Sequence, residues 1–309
     1  MDYLEDKKLL ELRFSNGMMI LPFVRYKLLC SKNQDNTSSS SRNPVSKPTI
    51  FFRLFSNLIR IRVKKKKLVF FSSTLFNVEV EGEKGIYYNS MDGYYYDLFP
   101  EDSLLIEDAD EEFKWRAKNS YKSMSFIRTY LLFLSFTLSR VFNKIKPIRR
   151  IDFDYIIKNY PELYTIEELG RLDYFHRIYY SLIKWVLKKT QCNLIAVNCG
   201  SYGETYAPLI KAAHDLGIKV IEMQHGAILQ SHLGYHADDF IVNHDEYATY
   251  LPDILYSFGD YWKQYIDWKY EIISVGSPHL NRYIKQYASE EVINDFLIIS
   301  QPSIREHVL

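Results

Sequence analysis

Cysteine is scarce. Cys30, Cys192 and Cys199 are the only three in 309 residues, too few and too scattered for a disulfide framework or a zinc site, and they carry the expectation of a reduced, cytoplasmic compartment. Charge of one sign is also missing: 39 basic against 38 acidic residues leave a formal net +1. There is thus no general pull toward nucleic acid, and electrostatic binding has to come from local clusters. Long apolar runs are absent. The most membrane-like stretch, Tyr130–Leu138, is enclosed by Arg128 and Arg140 and falls well short of the roughly twenty residues a membrane helix needs. The charged opening Met1–Lys8 leads into no apolar core with a cleavage site, so no signal peptide is expected. His232, His236 and His244 with Asp238, Asp239 and Asp245 fit neither an HExxH nor a paired-cysteine pattern, and no metal is expected.

What is present is ordinary globular composition, 47% hydrophobic and 25% charged, with room for two domains. The 26 tyrosines are spread along the chain and read as packing residues. The stretch from Asn193 to His244 organises the rest. Asn193–Cys199 is an apolar run of strand length that ends in Gly200-Ser-Tyr-Gly203. Glu204–Leu216 has near-helical apolar spacing, with Pro208 in its first turn and Gly217 at its C-cap. Ile218–Met223 is a second strand run leading into Gln224-His-Gly226, and Asp239–Val242 is expected as a third. Strand, helix, strand at this spacing is a right-handed βαβ unit with parallel strands. The Gly200–Gly203 and His225–Gly226 turns therefore open on one carboxyl edge, where open α/β sheets bind ligands.

Further strands are expected at Leu68–Phe71, Ser103–Glu107, Asp253–Gly259 and Glu271–Ser274, with helices over 111–146 and 152–189, the latter carrying a capping box at Thr165–Glu168. The fold class is α/β, a Rossmann-like parallel sheet flanked by helices with a helical insertion at about 111–189. Residues 1–66 are expected to form an N-terminal helical segment and the Ser-rich linker Ser31–Pro48, and residues 67–294 the Rossmann-like domain. The apolar run Asp295–Ser300 in residues 295–309 is expected to open a second domain that is cut short.

Gly200-Ser-Tyr-Gly203, then Glu222-Met-Gln-His-Gly226 with His232 and Tyr235, then Phe258-Gly259 with Tyr261-Trp262, then Val275-Gly-Ser-Pro278 and Ile299-Ser-Gln301 resemble the bacterial GT-B glycosyltransferases that build capsular and other surface polysaccharides. The resemblance implies that this chain is the N-terminal, acceptor-side half of a GT-B fold. It also implies a saccharide or lipid-linked saccharide acceptor, a nucleotide-sugar donor, no other cofactor, and a missing donor domain. A non-catalytic sugar-binding remnant or interaction module, and a nucleotide-sugar epimerase, are the alternatives.

Sugar transfer needs a group to accept the proton of the attacking hydroxyl and something positive near the departing phosphate. His225, at a strand mouth beside a glycine, is placed for either task or for bracing its own turn. Glu204, at a helix start, is either its assistant or a carboxylate favoured by the helix dipole. The Gly200–Gly203 turn, with Ser201 and Tyr202, would offer N–H groups as an anion or hydroxyl cradle. Gln224, Gly226, His232, Asp92, Asp97, Ser300 and Gln301 complete the expected substrate site. The basic clusters Arg60–Lys67 and Arg140–Arg150 are either solvated charge or contacts to anionic lipid head groups at the inner face of a membrane or to a lipid-linked pyrophosphate acceptor. No nucleic-acid partner is expected, because no recognition fold accompanies the charge.

Overall fold

Apolar runs flanked by turn residues become the buried strands of one parallel sheet, and the intervening helices cover it. The computed structural model describes residues 6–32, 53, 55, 61–80, 82–84, 86–109, 121, 123–230 and 232–287. The principal elements are α1 (Leu21–Lys32), β1 (Leu68–Ser73), β2 (Asn77–Glu79), β3 (Tyr87–Asn89), α2 (Gly93–Leu98), β4 (Ser103–Asp108) and β5 (Met124–Ser125). Next come α3 (Ile127–Ile145), α4 (Ile151–Asn159), α5 (Ile166–Thr190), β6 (Leu194–Asn198), α6 (Tyr206–His214) and β7 (Lys219–Met223). The chain continues through α7 (Asp239–Val242), α8 (Asp245–Ala248), β8 (Ile254–Ser257), β9 (Glu271–Ser274) and α9 (Pro278–Tyr287). Two units are distinguished, Met1–Gly276 and Ser277–Leu309. Within the second, α9 is tied at its start by the Asn281 N–H donating to the Ser277 carbonyl at 2.9 Å.

Seven strands form the sheet in the order β5-β4-β1-β6-β7-β8-β9, and every neighbouring pair is parallel. The chain builds outward from β1 through β4 to β5, returns to β6 on the other side of β1, and builds outward again. The switch point therefore lies between β1 and β6, where a Rossmann-like sheet opens a crevice at its carboxyl ends. Val69, Phe71, Ile195 and Val197 pack on one face against Leu131, Tyr179 and Ile183; Phe70, Ala196 and Ile221 face the other side with Tyr96 and Tyr121. Burial on both faces is why these strands read as continuous apolar runs.

The reciprocal Thr165–Glu168 capping box starts α5, with the Thr165 N–H donating to Glu168 Oε2 at 2.8 Å and the Glu168 N–H to Thr165 Oγ1 at 3.2 Å. The helices expected as an insertion instead build the layer over one sheet face: Ile127 and Leu131 of α3 and Tyr179, Ile183 and Leu187 of α5 share a core with the strands. Residues 6–32 are likewise no separate segment. Leu9, Phe14, Met19, Phe23 and Leu28 are buried together with Phe153, Leu169, Tyr235, Tyr250 and Trp268, and Met19 N–H donates to Tyr250 Oη at 3.1 Å.

One expected strand is a helix. Asp239–Val242 forms α7, whose first turn is closed by Ile241 and Val242 N–H groups on the Asp238 carbonyl, and the next strand of the sheet is Ile254–Ser257. Four apolar residues cannot distinguish a strand from a buried helical turn by periodicity. The expected apolar run at 295–300, with Ser300 and Gln301, lies outside the described residues, as does most of 33–60 and 110–120. Among the described residues no helix is long and apolar enough to cross a membrane.

Candidate functional site

The rim is built where β6 and β7 end side by side, with Asn198 paired to Met223. Beyond Asn198 the backbone turns sharply: Cys199 and Glu204 take positive φ values of 60° and 47°, and Gly203 takes 81°. Gly203 is needed twice over, because a Cβ there would also lie 2.0 Å from the Pro22 carbonyl oxygen. That carbonyl accepts the Glu204 N–H at 3.2 Å, which docks α1 onto the turn. Arg25, one turn further along α1 and buried, donates to the carbonyls of Leu233 and His236 and lies 5.0 Å from the Trp268 ring centre. One helix thus braces both the Gly200–Gly203 turn and the loop that carries His232.

The anion cradle expected at Gly200–Gly203 exists, and the protein's own Glu222 fills it. Glu222 is fully buried on β7 and accepts the Ser201 N–H at 2.9 Å, the Ser201 hydroxyl, the Gly200 N–H and, through Oε1, the Tyr235 hydroxyl at 2.9 Å. Burial pushes its carboxyl up to about 7 against the pull of these donors. The remaining N–H groups of the turn are spent locally, Tyr202 on Cys199 and Gly203 on Gly200. Gly200, Ser201 and Gly203 therefore build the rim from within and have no donor left for a ligand. Glu222 was missed as a site residue; its signal was a lone acid inside an apolar strand run.

His225 projects two residues past β7 and is only partly covered. Its Nε2 lies 3.3 Å from Tyr202 Oη, and the same hydroxyl lies 2.9 Å from His232 Nε2. Tyr202 carries one proton, so it donates to one imidazole and accepts from the other, and the two rings hold complementary tautomers. Both Nδ1 atoms are buried without a partner. Tyr235 adds its ring beside both, at 6.4 Å from His225 and 4.9 Å from His232. Burial, reinforced by repulsion from His232, lowers the His225 imidazole to about 4, so it is neutral at physiological pH. His232 is lowered for the same first reason, burial.

Other expected residues divide. Gln224 is buried and fully occupied, donating to the Gly226 carbonyl at 2.8 Å and accepting the Phe258 N–H at 2.7 Å, so it fixes the turn against β8 and does not face a ligand. Space beside Gly226 is open, with nothing within 4 Å of where a Cβ would stand. Asp92 sits at the switch point, fully buried, where Asn198 of β6 donates to its Oδ2 at 3.2 Å and Ser72 of β1 also bonds it. Its Oδ1 and the Oδ1 of Asn198 have no donor, and burial raises the Asp92 carboxyl to about 6. Asp97 is exposed on the last turn of α2, because the short helix turns it outward.

Glu204 parts company with His225. The positive φ at Glu204 turns its side chain to the wall of a cavity of about 600 Å³ that also touches Tyr26, Phe136, Tyr164 and His176, and among the described residues no hydrogen bond links it to His225. The expected acid–base pair is therefore not assembled. Of the two basic clusters, Lys67 pairs with Asp102 at 3.3 Å and Lys66 reaches the Glu101 carbonyl, whereas Arg140, Lys144, Arg149 and Arg171 gather around a recess of their own. No family model, no curated protein and no solved structure matches this chain.

Proposed function

We propose that the rim around His225 binds a saccharide hydroxyl and that the chain is the acceptor-side part of a sugar transferase, using a nucleotide-sugar donor in making a surface polysaccharide. The observation that carries this reading is the neutral imidazole of His225, at the carboxyl edge of a parallel sheet, with a tyrosine hydroxyl already at 3.3 Å. A second hydroxyl of similar size would take the place of that long contact. In the tautomer that accepts the Tyr202 proton at Nε2 the neutral ring is an acceptor there, so the base role is favoured over the phosphate-side cation. His232, across Tyr202, gives the accepted proton a second resting place.

A specific observation also favours a second reading, a sugar-binding module without catalysis: Glu204 faces a different cavity, and among the described residues no carboxylate hydrogen-bonds His225 to orient its ring. Titration calorimetry of the chain with oligosaccharides and nucleotide-sugars tests both. Saccharide binding that His225→Gln weakens about 10-fold, the worth of one hydrogen bond left unmade, supports the shared site. Turnover with a nucleotide-sugar selects transfer, and binding without turnover selects the module. Equal binding by both proteins, or none by either, rejects the site.

A further inference from the structure

Beyond Leu131 the amphipathic pattern of α3 is inverted. Ser135, Ser139 and Asn143 are buried, while Phe133, Leu134, Phe136, Phe142 and Ile145 are exposed. The buried stripe lets α3 approach α5 closely: Asn143 Nδ2 donates to the Glu167 carbonyl at 3.1 Å, and a Cβ on Gly170 would lie 2.4 Å from Asn143 Oδ1. Close contact at this end leaves the bulky side chains of α3 nowhere to go but outward. One of them, Phe136, also lines the cavity that Glu204 lines.

That cavity, of about 600 Å³, is walled largely by Phe23, Tyr26, Phe136, Tyr164, Leu172 and Phe175 and is also lined by Lys27, Glu168 and Glu204, within the size range of small-molecule sites. His176 also lines it, 2% exposed, with neither ring nitrogen hydrogen-bonded. A second recess of similar volume adjoins it, and Arg140 and Arg171 line both. The recess holds four cations, Arg140, Lys144, Arg149 and Arg171, against one carboxylate, Glu167. Among the described residues none of the four comes within 4 Å of a carboxylate, and Arg171 only helps the Thr165 N–H, from further off, to lower the Glu168 carboxyl. Arg140 instead lies over the Phe136 ring at 4.1 Å, at the boundary between the apolar and the basic compartment.

We propose that the two compartments are one site for an amphiphilic phosphate, with an apolar chain in the cavity between α1, α3 and α5 and the phosphate held in the recess by Arg140 and Arg171. Paired guanidinium groups suit a phosphate because each presents a rigid fork of donors to its oxygens. The cavity wall exposes mainly apolar and aromatic surface, which suits an alkyl or isoprenoid chain better than a nucleobase with polar edges on every side. The site is separate from the rim around His225 and stands whether or not that rim binds sugar.

Calorimetry of the full chain with decyl phosphate, decanol, inorganic phosphate and uridine monophosphate tests the assignment, decyl phosphate being kept below its micellar concentration. Saturable binding of decyl phosphate is expected, with the other three at least about 10-fold weaker, since each lacks one half of the ligand or replaces it. The double variant Arg140→Gln/Arg171→Gln and the cavity-filling Leu172→Trp should each lose about 10-fold or more in affinity with an unchanged circular dichroism spectrum. Flotation with phosphatidylcholine vesicles containing phosphatidic acid separates the two sources of such a phosphate. Retention that the arginine variant abolishes means that bilayer lipid is captured by the same site, and decyl phosphate binding without retention means a free lipid phosphate. The assignment is overturned if decyl phosphate fails to bind, if uridine monophosphate binds as tightly, or if both variants bind as the parent does.

Discussion

Glu222 offers the sharpest test of how the rim is held. Its carboxyl has an ordinary value of 4.5 in the unfolded chain and about 7 in the folded protein, because burial disfavours the charge more than the surrounding donors favour it. Between these two values the folded chain binds a proton that the unfolded chain has lost. Stability from this group is thus fully present below pH 4.5 and falls as the pH rises through 7, at about 1.4 kcal/mol per pH unit and about 3 kcal/mol in all. Glu222→Gln keeps the shape and removes the titration. Its amide also presents donors to the Ser201 N–H, a mismatch that costs roughly 1–3 kcal/mol at every pH. Urea unfolding of both proteins from pH 4.5 to 8 should therefore show a parent-minus-variant difference that falls by about 3 kcal/mol as the pH rises. Subtraction cancels other groups that titrate in the window, such as Asp92. A difference that stays flat would refute the claim that desolvation outweighs the donors around this carboxylate.

Gly203→Ala should lower stability by about 3 kcal/mol or more, since it meets both a positive φ and the Pro22 carbonyl at 2.0 Å, whereas Gly217→Ala, at φ 68° with nothing within 4 Å, should cost only about 1 kcal/mol; equal melting temperatures would contradict the docking of α1. Proton NMR should find His225 titrating near pH 4, while His214, where the Asp253 and Thr249 contacts outweigh burial, titrates above its ordinary value; a His225 midpoint near 6.5 would show an open, hydrated ring. Arg128 is buried against Asp108, donates to Tyr179 Oη at 3.1 Å and to Thr205 Oγ1 at 3.2 Å, so Arg128→Ala should cost about 3–5 kcal/mol by stranding the Asp108 charge. A loss below 1 kcal/mol in denaturant unfolding would mean that water reaches the pair.

The strands were legible because a central parallel strand is buried on both faces and so shows as an unbroken apolar run, as in Leu68–Phe71 and Ile218–Met223. The Thr165–Glu168 box was legible because a cap acts within one turn of chain. Features that depend on distant partners were not. Nothing near Gly200 announces that its turn will close on Glu222, some twenty residues later, and local spacing invited an external anion instead. Glu204 looked like a neighbour of His225 until one positive φ sent it to another wall. Gln224 looked available because the donor to its Oε1, the Phe258 N–H, comes from the end of a different strand. Apolar residues near the N-terminus read as a separate segment, since periodicity reports that a face is buried and stays silent about what buries it.

The docking of α1 against Gly203 also has a temporal side. Pro22 meets Glu204, and Met19 meets Tyr250 across a separation of 231 residues, so α1 waits for segments far along the chain before it can settle. Such distant closure slows folding, and until it happens Leu9, Phe14, Met19, Phe23 and Leu28 lack their distant companions Tyr235, Tyr250 and Trp268. A cell making this protein must shield those side chains during translation, and a chain shortened at its start would leave the later half with an uncovered wound in its place.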